Sequence, residues 1–380
     1  MTVNEIYLDG FRNYNDVTAT FCSGVNVIVG RNAQGKTNLL EAINFIATGR
    51  SFKTVSDKDL IKFDNDSAYI KTMVESSERC QKLEARIIHG KRKQFFANDV
   101  KLKKTAELSG RLTTVLFCPD DLSLIKDGAS VRRKFMDNCL SQLRPGYLTA
   151  LLEFNKLYEN KTRILKDHFD KPALLDLLDD FNLRLAERSA KLIYYRSAFC
   201  ESLTRRATEI HGEFSSGSEN LAISYKTVGN LDATGKKASE ILPFILEHQK
   251  EHRGAELKSG LCLTGAHKDD FEVAINEVSA RKFSSQGQAR TAAISLKLAE
   301  RDIQYDDRGE YPVLLLDDVL SELDEKRQTF VLERIKRGQV IITCCEDTSS
   351  VPIPNCGEII KVENGKVVSF VRNIMTNNEL

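Results

Sequence analysis

A chain of 380 residues has room for roughly two or three domains and a substantial core. With 41% hydrophobic and 29% charged residues it reads as globular and not disordered, and a net charge of +1 excludes a wholesale basic protein. No apolar run approaches the ~20 residues of a membrane helix, and Met1 to Tyr14 lacks the apolar core of a leader. The nine cysteines, without a C-x-x-C spacing, read as reduced and mostly buried thiols of a cytoplasmic protein that does not bind zinc.

In chain order, Val3 to Leu8 predicts a strand, followed by Phe11-Arg12-Asn13-Tyr14, an exposed basic-aromatic tetrad. Val25 to Val29 predicts a buried strand that runs into Gly30-Arg31-Asn32-Ala33-Gln34-Gly35-Lys36-Thr37, and Leu39, Leu40, Ile43 and Ile46 then recur at helical spacing. This is the phosphate-loop pattern in its required strand–loop–helix setting. Two glycines let consecutive N–H groups turn inward around phosphate oxygens, and the helix N-terminus adds its unpaired donors and positive end. Lys36 can then reach the β- and γ-phosphates, and the Thr37 hydroxyl can ligate Mg²⁺. A glycine turn that binds nothing is the alternative, and the flanking elements weigh against it.

Ala68 to Phe96 has a strand pattern, with Lys91-Arg92-Lys93 and Lys101, Lys103 and Lys104 flanking a hairpin around Asn98-Asp99. Such a basic hairpin either touches nucleic acid or is simply solvated. Thr113 to Phe117 predicts a further short strand. From about Ser130 to Glu213 leucines at three- and four-residue steps predict three or four helices in an antiparallel bundle. Residues 214–236 form a loop region with one strand, Leu221 to Tyr225, and a helix follows over Ala238 to Arg253.

The last part returns to alternating strand and helix. Strands are predicted at Glu272 to Ile275, Val313 to Leu316 and Val340 to Thr343, with a helix over Gln288 to Gln304. A closing hairpin, Ile359 to Val362 and Lys366 to Phe370, turns at Asn364-Gly365. Val313 to Leu316 delivers Asp317-Asp318 where α/β sheets bind ligands, so Asp317 can hold Mg²⁺ and Asp318 can polarise an attacking water. An Asp pair can also merely end a strand and cap the next helix. Ser284-Ser285-Gln286-Gly287-Gln288 opens a helix in a second anion-binding geometry, which most naturally serves a ligand held by another copy. The fold class is therefore α/β with an inserted, mainly helical second lobe, divided as 1–112, 113–260 and 261–380.

These pieces, in this order, resemble the ABC-type ATPases, and specifically the RecF family within the SMC-like branch. The resemblance covers essentially the whole chain. It rests on Phe11 to Tyr14, the phosphate loop, Asn38 to Ala42, Phe117, Pro119 to Leu122 and Arg132-Arg133, and on Gly265 to Asp270, Phe283 to Thr291 and Leu314 to Asp324. It implies an ABC-type ATPase head, a mixed sheet with helices, built from 1–112 and 261–380. It implies that Ser284 to Gln288 is the signature motif, with Ser285 reaching the γ-phosphate bound by a partner subunit. Asp324 resembles the D-loop acid at the dimer seam, and Arg12 and Asn13 resemble N-terminal nucleotide contacts.

Family members dimerise on ATP, bind DNA and help load RecA at gaps with RecO and RecR. The resemblance thus implies ATP and Mg²⁺ as cofactors, an ATP-dependent homodimer, and sequence-independent contact with gapped or single-stranded DNA. Basic candidates for that contact are Lys91, Arg92, Arg132, Arg133, Arg205 and Arg206, although Arg132 and Arg133 can equally pair with acids inside the helical lobe.

Several positions depart from the ABC pattern. Asp318 stands where ABC enzymes usually carry Glu, which implies slow turnover; no Q-loop glutamine or switch histidine is present, and Ala266 replaces a common Pro. A long-armed chromosome organiser is disfavoured by the absence of extended heptads. An ATPase subunit of a nuclease would have only His267-Lys268-Asp269-Asp270 to offer, which also reads as a structural turn.

Overall fold

The computed structural model describes residues 1–345 and 356–372. The chain opens with β1 (Thr2–Asp9), β2 (Val17–Thr20), β3 (Val25–Val29), α1 (Lys36–Thr48), β4 (Ser67–Glu75), β5 (Cys80–Ile88), β6 (Gln94–Ala97), β7 (Val100–Lys101) and β8 (Thr114–Phe117). There follow α2 (Ser123–Lys126), α3 (Ala129–Leu143), α4 (Pro145–Asp167), α5 (Leu178–Phe214), β9 (Leu221–Lys226), α6 (Ala238–Ser259), β10 (Asp270–Ile275), β11 (Val278–Ser279) and α7 (Ala280–Phe283). The chain ends with α8 (Gln286–Arg308), β12 (Val313–Asp317), α9 (Glu325–Arg334), β13 (Val340–Cys344), β14 (Cys356–Glu363) and β15 (Lys366–Arg372). Two compact units result, one of residues 1–121 with the chain from Glu300 onward, the other of Leu122–Ala299.

In the first unit one sheet has the strand order β15-β14-β3-β13-β12-β8. Its five strands from β14 to β8 are parallel, and β15 closes the edge as an antiparallel hairpin arm. β12 and β13 are buried at every position, which is why they read as unbroken apolar runs. A second, antiparallel sheet runs β2-β1-β4-β5-β6-β7, and β4 buries every second residue. Leu39, Leu40, Ile43, Phe45 and Ile46 of α1 join Ile28, Leu315 and Ile341 of the first sheet and Ile6, Ile70 and Leu83 of the second in one core.

The second unit packs α4 and α6 against the long helix α5, and α5 against β9 of a small antiparallel sheet, β11-β10-β9. At 37 residues α5 spans about 55 Å, far short of a chromosome-organiser arm. Its interior is polar as well as apolar. Arg196, fully buried, pairs with Asp137 at 2.8 Å and Asp269 at 2.7 Å, and Lys161 pairs with Glu256 at 2.7 Å.

Several expectations change. The exposed tetrad is not exposed: Phe11 and Tyr14 are wholly buried in the core, and a strand that the pattern missed, β2, follows them. The inserted unit begins at 122 and not 113, because β8 pairs with β12 of the first unit's parallel sheet. It extends to 299 and not 260, because β10 pairs with β9. Of the eight cysteines whose side chains are described four are buried, and none of the eight is in a disulfide.

His267 also settles as structure. Its ring packs on Tyr158 with centroids 4.6 Å apart, Nε2 donates to the Cys262 carbonyl at 2.9 Å, and buried Nδ1 has no partner. Burial lowers its pKa from 6.5 to about 4. Between those two pH values the unfolded chain binds a proton that the folded chain refuses. Stability is therefore complete above pH 6.5 and is lost as pH falls toward 4. Relative to a His267→Gln variant, which keeps a donor for Cys262, the native chain is expected to lose roughly 2–3 kcal/mol more between pH 7 and pH 4. Urea denaturation of both proteins at the two pH values checks this.

Candidate nucleotide site

The phosphate loop is clamped by its neighbours in the fold. β3 ends beside the hairpin strand β14 so closely that a Cβ on Gly30 would lie 2.4 Å from the Val362 carbonyl oxygen. Gly35, the N-cap of α1, has φ 118°, a backbone state open to glycine and strained for other residues. The Gln34 carbonyl accepts from Asn13 Nδ2 at 2.8 Å and from the Gly365 N–H at 3.0 Å, while Tyr14 Oη donates to the Gly35 carbonyl at 2.9 Å. Asn13 is thus a buttress of the loop, and Asn38 donates to its other side-chain atom at 2.9 Å. Arg12 is spent elsewhere: its guanidinium makes a bidentate pair with buried Glu41 at 2.7 and 2.8 Å and donates to the Asp59 carbonyl.

Lys36, only 6% exposed, folds its ammonium over the loop and donates to the carbonyls of Gly30 at 2.6 Å and Arg31 at 3.1 Å. No acid occupies the first turn of α1, so the positive end of the helix is not cancelled. Arg31, Asn32 and Ala33 complete the loop, with Ala33 in the left-handed region at φ 65° and Asn32 Oδ1 accepting from Cys345 Sγ at 3.3 Å.

The acid expected to face this loop does so. Asp317 Oδ1 accepts from the Thr37 hydroxyl at 2.8 Å and from the Thr343 hydroxyl at 3.0 Å. Thr343 also accepts the N–H of Asp318 at 2.9 Å, and Asp318 sits at φ 55° with its carboxylate beside Ser321 Oγ at 3.1 Å. Burial raises the pKa of Asp317, opposed by the hydrogen bonds from Thr37 and Thr343. Adjacent oxygens of an octahedral Mg²⁺ shell lie about 2.9 Å apart. The 2.8 Å between Thr37 and Asp317, one hydroxyl and one carboxylate, fits that edge.

Thr343 is the residue that sequence reasoning missed. The signal was there: it is the one hydroxyl in an otherwise apolar strand, next to its last residue, and it stands in register opposite Asp317.

In the second unit the signature segment caps α8. Ser285 Oγ accepts from the Gln288 N–H at 3.1 Å, and Gln288 Oε1 accepts from the Ser285 N–H at 3.0 Å, a reciprocal capping box. Ser284 takes two bonds from Lys126, and Ser285 and Gln286 are exposed. Asp324 caps α9 by accepting from the Arg327 N–H at 3.0 Å and is exposed.

The basic candidates divide. Arg132 is buried in a bidentate pair with Asp270 at 2.6 and 2.9 Å and cannot reach a phosphate. Arg133 donates to the Asp269 carbonyl and Arg206 pairs with Glu209. Lys91, Arg92 and Arg205 are exposed. Among the described residues no cluster of three or more His, Cys, Asp or Glu could hold a metal. Among them, too, no helix is long and apolar enough to cross a membrane.

A phosphate loop and an acid pair at the carboxyl edge of a parallel sheet, beside an antiparallel sheet, define an ATPase head of the ABC type. Comparison with known proteins narrows this. Residues 2–367 match the family described as RecF/RecN/SMC N terminal domain. The DNA replication and repair protein RecF of Acetivibrio thermocellus is 40% identical over 96% of this chain and 99% of its own length. That of Clostridium botulinum strain Okra is 38% identical over 97% of this chain and 99% of its own. A solved structure of the recombination mediator protein RecF-ATP in the RecFOR pathway superposes with TM-score 0.89 at 36% identity, covering 97% of each chain. The Smc head domain of Pyrococcus furiosus, at TM-score 0.56 and 18% identity over 97% of this chain and 96% of its own, shares the fold alone. The chain belongs to the RecF family.

Because Asp317 is a buried carboxylate held by two hydroxyls, an amide in its place keeps an acceptor while removing the charge. Asp317→Asn is expected to leave the stability of the nucleotide-free protein equal or higher. It should also abolish the rise in melting temperature on adding Mg²⁺ and ATP. Thermal unfolding with and without both checks the pair of outcomes; a retained shift would remove Asp317 from the metal site.

Proposed function

We propose that this chain is an ATP-dependent DNA-binding protein of recombinational repair and replication restart. ATP closes two copies on DNA near single-strand gaps and so supports RecA loading with RecO and RecR, and the protein works in the cytoplasm. The observation that carries this reading is the joining of Lys36, Thr37 and Asp317 at one sheet edge, in a chain that matches RecF relatives along nearly its whole length. ATP-bound RecF is among the structural relatives, and the pathway role is taken from theirs.

In the proposed cycle the loop's N–H groups and the α1 N-terminus hold the phosphates, and Lys36 reaches the β- and γ-oxygens. Thr37 and Asp317 would hold Mg²⁺, which neutralises charge building on the phosphates. Ser285 of a second copy supplies hydroxyl and N–H donors at the γ-phosphate, and Asp324 lines the seam. Asp318 orients the attacking water. Its carboxylate is one methylene shorter than the usual Glu and is tethered to Ser321, so hydrolysis is slow and serves to reopen the pair. DNA is held by phosphate contact at exposed Lys91, Arg92 and Arg205, without base readout.

Sedimentation velocity with ATP, with ADP and without nucleotide, each with gapped DNA, tests the clamp. The native chain should dimerise only with ATP, and Lys36→Arg should stay monomeric; a constitutive monomer would refute the reading. Substituting Lys91 and Arg92 together by Ala should flatten the salt dependence of DNA affinity, by ~0.9 in log–log slope for each phosphate that is no longer neutralised.

A further inference from the structure

The capping box that shapes the signature segment has a third leg. Gln288 uses Oε1 and its backbone N–H on Ser285, which leaves the two hydrogens on Nε2. One of these goes to Glu219 Oε1 at 2.9 Å. Glu219 lies in the loop after α5, sixty-nine residues away in sequence, and its other oxygen is fixed in turn. His211, wholly buried near the end of α5, approaches Glu219 Oε2 through Nε2 at 2.9 Å, and its Nδ1 lies 3.3 Å from Ser295 Oγ on α8. The Glu219 backbone is held as well, since its N–H donates to Ser215 Oγ and its carbonyl accepts from the same hydroxyl. The chain of contacts therefore leaves α8 at Gln288, passes through a charged side chain on a separate loop, and returns to α8 at Ser295.

An unsupported capping amide can rotate about its terminal bonds, and the serine it holds then loses its N–H partner. A charged acceptor at 2.9 Å removes that freedom and decides which face of the amide carries the oxygen. We propose that Glu219, backed by His211, is a positioning residue for the signature segment: it fixes the Gln288 amide so that the hydroxyl and N–H of Ser285 are ready for an anion supplied by a second copy of the chain. This rests on the proposed function, in which Ser285 acts on a partner's nucleotide.

The full-length protein tests it. Sedimentation with saturating ATP and Mg²⁺ gives the dimer dissociation constant, and a fluorescent ATP analogue gives the affinity of the dilute chain for nucleotide. Glu219→Ala is expected to weaken the dimer about tenfold, the value of one charge-assisted hydrogen bond, and to leave nucleotide affinity unchanged. Gln288→Glu keeps an oxygen for the Ser285 N–H but sets two carboxylates face to face, so it should weaken the dimer too. Adding Glu219→Gln to that variant restores the donor–acceptor pair with its ends exchanged and should recover the dimer to within about twofold.

Native dimerisation by both Glu219→Ala and Gln288→Glu, with Ser285→Ala impaired, overturns the positioning role alone. Failure of the exchanged pair to recover also overturns it. If Ser285→Ala dimerises as the native chain does, the in-trans reading falls and the positioning role with it. Should Glu219→Ala not fold, Gln288→Glu and its exchanged partner decide the matter.

Discussion

The nucleotide site is referred to a single oxygen, Oδ1 of Asp317. Two hydroxyls from different parts of the chain converge on it, Thr37 from the first turn of α1 and Thr343 from the end of β13. They are brought there by strand order. β13 lies between the strand that feeds the phosphate loop and the strand that ends in Asp317, so those two strands are about 10 Å apart. The helix start spans that gap from one side, and Thr343 fills it from the other. A separation of 280 residues in sequence closes into a 2.8 Å contact because three parallel strands end in register.

The arrangement stores an electrostatic bias. Asp317 is buried enough that its ionised form is disfavoured, and the two hydroxyls only partly compensate. Across from it the loop's donors, the uncancelled helix end and the Lys36 ammonium make a positive concavity. A divalent cation suits the first and a polyphosphate suits the second, so the two are stabilised best together. The clamp on Gln34 from both Asn13 and Gly365 means that little of the loop has to be ordered when they arrive.

The parts of this site that sequence alone made legible are those whose chemistry is local. The glycines, Lys36 and Thr37 announce a phosphate loop because the backbone geometry needs them at that spacing, and Asp317 follows an apolar run that can only be a buried strand. The reach of the loop's support was not legible. Phe11 and Tyr14 flank Arg12 and Asn13, which suggested a surface turn; the left-handed turn at Arg12, φ 55°, instead sends both rings into the core. Glu41 lies among the apolar positions of α1 and is buried because Arg12 meets it with a full fork, a pairing that no spacing rule encodes. The unit boundaries were displaced for the same reason. β8 and β10 are too short to declare their partners, and strand pairing over hundreds of residues is invisible to a local window.

Charge placement in the helical unit bears on how weak the grip of one copy must be. With 55 basic and 54 acidic residues the chain has no general attraction for a polyanion. Two of its buried arginines are committed internally: Arg132 to Asp270, and Arg196 to Asp137 and Asp269, all within the second unit. Releasing Arg196 to contact DNA would leave the buried Asp269 carboxylate unpaired, at a cost of several kcal/mol, which one exposed phosphate contact does not repay. On the proposed function, phosphate contact is made by exposed basic side chains, Lys91, Arg92 and Arg205 among them. A handful of such contacts binds weakly and is readily disrupted by salt. On the proposed function this weakness is useful. Two copies joined through their nucleotides double the number of contacts on one duplex, and the second set engages at the effective concentration imposed by the first. DNA affinity then depends steeply on the bound triphosphate, although no residue need touch both.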